Sequence, residues 1–463
     1  MNCFIFFPGF WRVAAVLVGI FHSHLVIAQS SFADQKQDSF VAQVNSDLVG
    51  LMGGTESLLD PFNIQPAKSD QDKREYRYLV LPNQLRVLLI SDTEAQSSAA
   101  AINVAVGANH NPADRLGLAH FLEHMLFLGT EKYPLPGEYQ QFISQQGGTH
   151  NASTAAENTQ YFFTIKHKSF EPALDRFVQF FIAPLFNDIY VDRERQAVNA
   201  EFSAKLRDDF RREWDVYREL MNPEHPGSKF AVGNSQTLAD RDTVSVREDL
   251  IAFYQTHYSA EKMTVVLLSN QPLSQLQLWA EQKFLSIPKR NAEKQEVTAA
   301  YPSMFEKDFL PATIGIQPEK EIHKLTFSFP VPQSKKLLVN KPYDYIAHLL
   351  GHENKGSFLS ILKELGWAET LTAGLAYPSR DDALFQINIQ LTPTGVKARD
   401  QIVSLLFFTI QKIRDTGIEA WRYNELQVMG KNKFQFDEKK SPIETVSTLA
   451  QNMQDYAVQD ILR

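Results

Sequence analysis

The stretch GLAHFLEHMLFLG, residues 117–129, decides how this chain is read. His120 and His124 stand four apart, with Glu123 just before the second histidine. On a helix, positions i and i+4 lie on one face about one turn apart, so both imidazoles can aim at one metal ion. Glu123, at i+3 from His120, borders the same face and is placed to work on a metal-bound water rather than to be a ligand. Leu116, Ala119 and Leu126 fit an apolar face that packs into a core. Spacing alone leaves two alternatives open, an ordinary amphipathic helix packed on a core and a hydrogen-bonded cluster of buried histidines and a glutamate.

The order His-x-x-Glu-His mirrors the zincin motif His-Glu-x-x-His and is that of the inverzincins. Two histidines leave zinc one protein ligand short of a catalytic site. Downstream lies YVDRERQAVNAEFSAKLRDDF, residues 190–210. Glu194 and Glu201 are seven apart there, two helical turns, and share a face. Glu201 is the candidate third ligand. Glu194 is a candidate acceptor that orients a ligand histidine. Taken singly, each reads equally well as a solvent-facing glutamate of a charge-rich helix.

Around this segment the pattern is that of an α+β protein. YRYLVLPNQLRVLLISD (76–92) predicts two strands around Pro82-Asn83, and SSAAAINVAVGA (97–108) and TQYFFTIKH (159–167) predict two more. Helical patterns fill 170–183 and 190–220, and KMTVVLLSN (262–270) is an apolar strand before the helix 273–287. The polar run PKRNAEKQE (288–296) breaks the pattern and marks a boundary. Strands then return at 323–331, 369–378 and 383–392, with helices at 341–353, 395–417 and 419–436. The order roughly repeats that of the first part. The repeat stops before any counterpart of the strand 262–270, so the second domain reads as cut short with an unpaired sheet edge. The expected organisation is a signal peptide at 1–28, a flexible leader at 29–70, a first domain at 71–288, a linker at 289–298 and a second domain at 299–463.

The N-terminal run carries Arg12, an apolar stretch and Val-Ile-Ala at 26–28, the pattern of a secretory signal cleaved after Ala28. His22 and His24 interrupt it, leaving it short of the roughly 20 apolar residues of a membrane span. The expectation is an exported chain, periplasmic or secreted, with no membrane span after cleavage. Its single cysteine, Cys3, lies within that run, so the mature chain has no disulfide and no cysteine metal site. A net charge of −8 gives no basic footprint for nucleic acid. His150, His225, His348 and His352 are weaker metal candidates, none read as paired, and His225 fits a structural loop role in NPEHPGS.

With Glu201 added, the pattern resembles the insulinase–pitrilysin family of zinc peptidases, M16. Its signature is His-x-x-Glu-His, 76 residues, then Glu, and 76 residues separate His124 from Glu201 here. RERQAVNAEF, GGTHNASTAAENTQYFF (147–163), NPEHPGSKFAVGNSQTL (222–238) and LLGHENKGSFLSILKELGW (349–367) resemble further family segments. The resemblance covers about residues 68–463. It implies two similar domains, each a mostly antiparallel sheet packed against long helices. It implies one Zn²⁺ held by His120, His124 and Glu201, with Glu123 as general base for the attacking water and Glu194 behind a ligand. It also implies substrate binding at Asn151 and Ala152 on an edge strand, and at Gly351 and His352 near an exosite for the peptide N-terminus. Asn354-Lys355 depart from the Gly-Pro type pair of that exosite. Long-branch members carry a C-terminal half with an Arg and a Tyr that contact substrate, and this chain contains none of it. The function expected is a zinc metalloendopeptidase acting on peptides or small unfolded proteins. The alternative is a zinc- and peptide-binding half with little activity until it pairs with a C-terminal half, a partner subunit or a second copy.

Overall fold

A computed structural model describes residues 66–290, 300–333, 337 and 340–462. The expected signal and nearly all of the leader lie outside the described residues, as does most of the polar linker. Among the described residues, no helix is long and apolar enough to cross a membrane. Contacts divide the described chain into two units. Residues 307–315 form one, with a 3-10 turn at Lys307–Phe309; both sheets and every candidate residue belong to the other.

The first sheet is built from β1 (Glu75–Val80), β2 (Arg86–Ser91), β3 (Ser98–Val104), β4 (Thr149–Thr154), β5 (Thr159–Ile165) and β6 (Met263–Ser269). Its order is β1-β2-β6-β3-β5-β4. Only β2 and β6 run parallel; the other neighbours are antiparallel. The central strands read RVLLIS, SAAAINV and MTVVLLS and are almost wholly buried, as expected where both faces are covered. β4 reads THNAST, alternates exposed and half-buried residues, and lies at the sheet edge.

One face is covered by α1 (Leu118–Met125), α2 (Glu138–Gln145), α3 (Phe170–Val178), α4 (Val191–Lys205), α6 (Val246–His257) and α7 (Leu273–Phe284), while α5 (Asp209–Leu220) follows α4 and adds no residue to that core. Phe121, Leu122, Phe163, Phe177 and Phe181 sit within that core at no more than 1% exposure. The pattern read as one helix over 190–220 is two. The chain breaks at 206–208, where the Asp208 side chain accepts from Arg211 N at 3.0 Å and caps α5.

The second sheet has β7 (Lys324–Pro332), β8 (Ala368–Ala376) and β9 (Asp382–Leu391) in the order β7-β9-β8. It is packed by α8 (Pro342–Gly351), α9 (Phe358–Glu364), α10 (Pro393–Lys397) and α11 (Arg399–Thr416), and α12 (Ala420–Phe436) follows. Among the described residues no strand pairs with the outer side of β7 or of β8, the two edges of this sheet. α5 packs on the second sheet. Tyr217 Oη meets Ser328 Oγ at 2.6 Å, and the Trp214 ring stacks on Tyr377 with centroids 4.3 Å apart.

Sequence periodicity gives no hint of where the last helix, α13 (Pro442–Asp455), packs. It belongs by position to the second domain, yet it covers the other face of the first sheet. Val446, Leu449, Ala450 and Met453 pack on Leu88, Ile90, Ala99, Ala101, Val266 and Leu268. Its carbonyls are also held: Thr264 Oγ1 donates to Ala450 O at 2.6 Å and Arg86 Nη1 to Met453 O at 2.8 Å. The physical reason is the sheet's second apolar face, which needs a cover. Met453→Ala is expected to cost about 2–5 kcal/mol of stability, the usual range for emptying a buried methionine site. Urea denaturation followed by circular dichroism measures it, and a loss below about 1 kcal/mol would remove this helix from the core.

Candidate metal centre

The centre is built on α1. Leu118, Phe121, Leu122 and Met125 recur at i, i+3, i+4 and i+7 and are fully buried, which turns His120, Glu123 and His124 to the other side. Gly117 starts the helix at φ +91°, a left-handed conformation that suits glycine. A Cβ there would lie 2.2 Å from Gly233 Cα, so the glycine also permits a close approach of the 231–234 backbone. That approach brings Val232 O to within 2.7 Å of His120 Nδ1. Asn111 Oδ1 accepts from Ala119 N at 2.8 Å and satisfies one of the helix's free donors. Just ahead of the helix, Arg115 is 2% exposed and bonds Asp249 Oδ2 at 2.5 Å and Val244 O at 3.2 Å.

α4 supplies the carboxylates. Glu201 Oε2 lies 3.6 Å from His120 Nε2 and 3.7 Å from His124 Nε2. The three groups offer ligand atoms that all fall within 4.8 Å of one another, and they are the one such group found among the described residues. Zinc bonds of about 2.0–2.1 Å in a tetrahedron place ligand atoms about 3.3 Å apart. The two carboxylate–imidazole spacings therefore fit zinc after a small contraction.

The atoms behind the ligands fit as well. Val232 O accepts from His120 Nδ1, which fixes the ring tautomer and leaves Nε2 for metal. Glu194 Oε2 lies 3.5 Å from His124 Nδ1 and does the same for the second ring. Glu194 is itself held by Arg193 Nε at 3.0 Å. Its hydrogen bond to His124, aided by Arg193, keeps its carboxyl below the ordinary range. Glu194→Gln is expected to weaken zinc affinity 10- to 100-fold, as removal of such partners does. Competition with a fluorescent zinc chelator reads this directly, and an unchanged affinity would dismiss Glu194 as a neighbour.

Burial alone would lower the His124 pKa. The Glu194 hydrogen bond and the charges of Glu123, Glu194 and Glu201 outweigh it, and the net shift is upward from 6.5. A metal needs the neutral ring, so protons compete with it. Below that raised pKa, zinc affinity is expected to fall roughly tenfold per pH unit for this one proton. Calorimetric zinc titrations between pH 6 and 8 check the sign; affinity flat across that range would contradict it.

Glu123 faces the same space without joining the ligand set. It is 8% exposed, and Thr154 Oγ1 on β4 donates to its Oε2 at 2.5 Å. Burial pushes its carboxyl upward, against the lowering effect of the Thr154 bond and the two histidines. The cleft around these groups has a volume of about 1130 Å³. Asn151 and Ala152 line it, whereas Gly351 and His352 do not. Those two stand at the end of α8, beside β8.

One histidine reading needs correction, that His348 and His352 are unpaired, and the loop role expected of His225 is the one observed. His348 and His352 are four apart, and their rings lie 5.0 Å apart at 85°, close to the 4.9 Å and 88° of His120 and His124. No carboxylate completes a metal-sized group with them among the described residues, and His352 Nδ1 accepts from Asn354 N at 3.1 Å. Metal on Nε2 would need a proton on that Nδ1. His225 is fully buried, and its Nδ1 caps the turn at Gly227 N at 3.1 Å, a loop role. The sequence reading missed Val232, Thr154 and the Gly117–Gly233 approach. Val232 acts through its carbonyl, which no residue pattern marks, although FAVGN lies in a segment singled out for its resemblance.

Comparison with known proteins points the same way as the geometry. Residues 86–224 match the family model described as Insulinase (Peptidase family M16), and residues 245–427 match the one described as Peptidase M16 inactive domain. The A-factor-processing enzyme of Saccharomyces cerevisiae is 38% identical over 399 residues, 85% of this chain and 39% of its own. Insulin-degrading enzyme of Bos taurus is 38% identical over 398 residues, with the same coverage of each chain. The crystal structure of pitrilysin superposes with a TM-score of 0.81 at 30% identity, over 88% of this chain and 43% of that one. The chain thus spans about two fifths of the length of the curated relatives it matches.

Proposed function

The chain belongs to peptidase family M16, and from that premise we propose that it is the zinc-holding half of a metalloendopeptidase acting on extended peptides or small unfolded proteins. The observation that carries the reading is the convergence of His120 Nε2, His124 Nε2 and Glu201 Oε2, with Glu123 beside them. One zinc per chain would be held by those three groups. It would supply Lewis acidity for the scissile carbonyl and lower the pKa of a coordinated water towards about 7.

The remaining steps belong to the chain's own residues. Thr154 occupies Glu123 Oε2 and leaves Oε1 to take a proton from the attacking water. The same oxygen then returns that proton to the leaving amine. A carboxyl raised by burial suits both tasks near neutral pH. β4 is the outermost strand of its sheet, so its free backbone edge can pair with an extended peptide. Main-chain pairing through residues such as Asn151 and Ala152 tolerates many substrate sequences. The Arg12 to Ala28 pattern leads us to propose export to the periplasm or the medium.

The coverage of about two fifths of the relatives favours a second reading, in which the chain binds zinc and peptide but turns over only with a C-terminal half, a partner subunit or a second copy. One experiment separates the two. The purified chain is loaded with zinc and given quenched fluorescent peptides and, in parallel, labelled peptides for binding. Hydrolysis that stops on chelation and returns with zinc supports the enzyme; peptide binding without hydrolysis supports the incomplete half. A zinc-loaded chain that neither binds nor cuts peptides would refute both.

A further inference from the structure

The cleft is charged differently from the molecule. The chain carries a net −8, yet the wall of the cleft formed by α4 and α5 carries Arg193, Lys205, Arg211, Arg212 and Arg218. The acids that line the cleft are already engaged. Glu123, Glu194 and Glu201 belong to the metal centre, and Asp215 pairs with Arg218. Three of the cations are engaged as well. Arg193 pairs with Glu194, Arg212 with Asp209 at 3.2 Å, and Arg218 with Asp215. Lys205 and Arg211 have no carboxylate partner among the described residues.

The placement of these two is informative. Lys205 is four residues beyond Glu201 on α4, on the same face and about 6 Å further along the axis. An extended peptide advances about 3.3 Å per residue. The backbone of Lys205 therefore stands about 6 Å from that of Glu201, a distance an extended peptide covers in about two residues. Arg211 follows across the break between α4 and α5, in the first turn of α5. A cation there opposes the helix dipole, so helix stability does not account for it. β4, which also lines the cleft, is THNAST and has no permanent charge; burial lowers the pKa of His150, its one titratable group, which favours the neutral ring. Trp214, Phe202 and Phe230 line the same cleft and offer apolar surface to a side-chain stem.

We propose that this cleft selects peptides bearing an Asp or Glu side chain within about two residues of the cleaved bond, with Lys205 and Arg211 as the selecting residues. The proposal rests on the peptidase reading above. Long-range attraction does not supply the preference, because the net charge of the chain repels acidic peptides. Two partly screened ion pairs, each worth a factor of about two to five, give about tenfold selection at low salt.

The test uses the full chain carrying Glu123→Gln, loaded with zinc, so that binding is read without turnover. Fluorescence anisotropy is measured for three labelled peptides of equal length with Glu, Gln or Lys at the position flanking the target bond. The Glu peptide is expected to bind about tenfold tighter than the Lys peptide in 50 mM salt, and the ratio is expected to shrink at 500 mM. The ratio should fall to one or invert in Lys205→Glu/Arg211→Glu, and fall part of the way in Lys205→Gln. Both residues are exposed, and zinc content with the far-ultraviolet spectrum confirms that the variants fold. Equal binding of the Glu and Lys peptides, or a ratio unchanged in the double variant, overturns the proposal while leaving the peptidase reading in place. Failure to bind even the Gln peptide overturns the peptide-cleft reading and this inference with it.

Discussion

Glu123→Gln is expected to lower peptide hydrolysis by about 10³-fold while the chain keeps its zinc. General acid–base catalysis contributes about 10² to 10⁴ in rate, and Glu123 is a buried carboxylate outside the candidate ligand group of His120, His124 and Glu201, proposed above as the base. The amide preserves the volume of the side chain, and its oxygen can still accept from Thr154 Oγ1. It has no basic oxygen to take a proton from water. Steady-state hydrolysis of a quenched peptide, with metal analysis of the same sample, reads both halves of the expectation. Residual activity above about a tenth would move the base elsewhere. Loss of zinc along with activity would make Glu123 a ligand and would redraw the centre.

Removing a ligand should act the other way round. His120→Ala and Glu201→Ala are each expected to weaken zinc binding by more than 100-fold, beyond the loss expected for Glu194→Gln. Neither change empties the core, since the side chains are 14% and 49% exposed. The metal-free variants should therefore melt close to the metal-free native chain. Zinc at 100 times its dissociation constant adds about 2.7 kcal/mol of stability to a protein that binds it only when folded. Thermal melts should thus show a zinc-dependent rise for the native chain and none for either variant. A zinc-dependent rise that survives Glu201→Ala would take this glutamate out of the ligand set.

Much of the centre is legible in the sequence because it depends on helical spacing. Positions 120 and 124 share a face by the geometry of any α-helix, and 194 and 201 share another. The structure brings those two faces together on α1 and α4, with Glu201 Oε2 facing both histidines. What is not legible depends on the backbone. Val232 contributes a carbonyl, which every residue type has, and Gly117 matters because Gly233 passes within van der Waals contact of it. Thr154 reaches Glu123 because β4 is paired in register with β5, a long-range fact.

The same division holds for the fold. The alternation and apolar runs of β1, β2, β3, β5 and β6 are local, and so is the hairpin at Pro82-Asn83. The docking of α13 on the first sheet is not local. Its apolar stripe at Val446, Leu449, Ala450 and Met453 fits any apolar surface, and only the uncovered face of the first sheet selects its partner. The sequence reading leaves His348 and His352 unpaired, yet they are four apart and their rings meet as those of His120 and His124 do; among the described residues no carboxylate completes a metal-sized group with them.

The most direct test of the centre is X-ray absorption at the zinc edge on the zinc-loaded full chain and on His120→Ala. The geometry predicts one zinc per chain with two imidazole ligands, oxygen in the remaining positions and no sulfur, and one imidazole fewer in any zinc the variant retains. A well-folded native chain that takes up no zinc, or a zinc whose imidazole count is the same in both proteins, would contradict it.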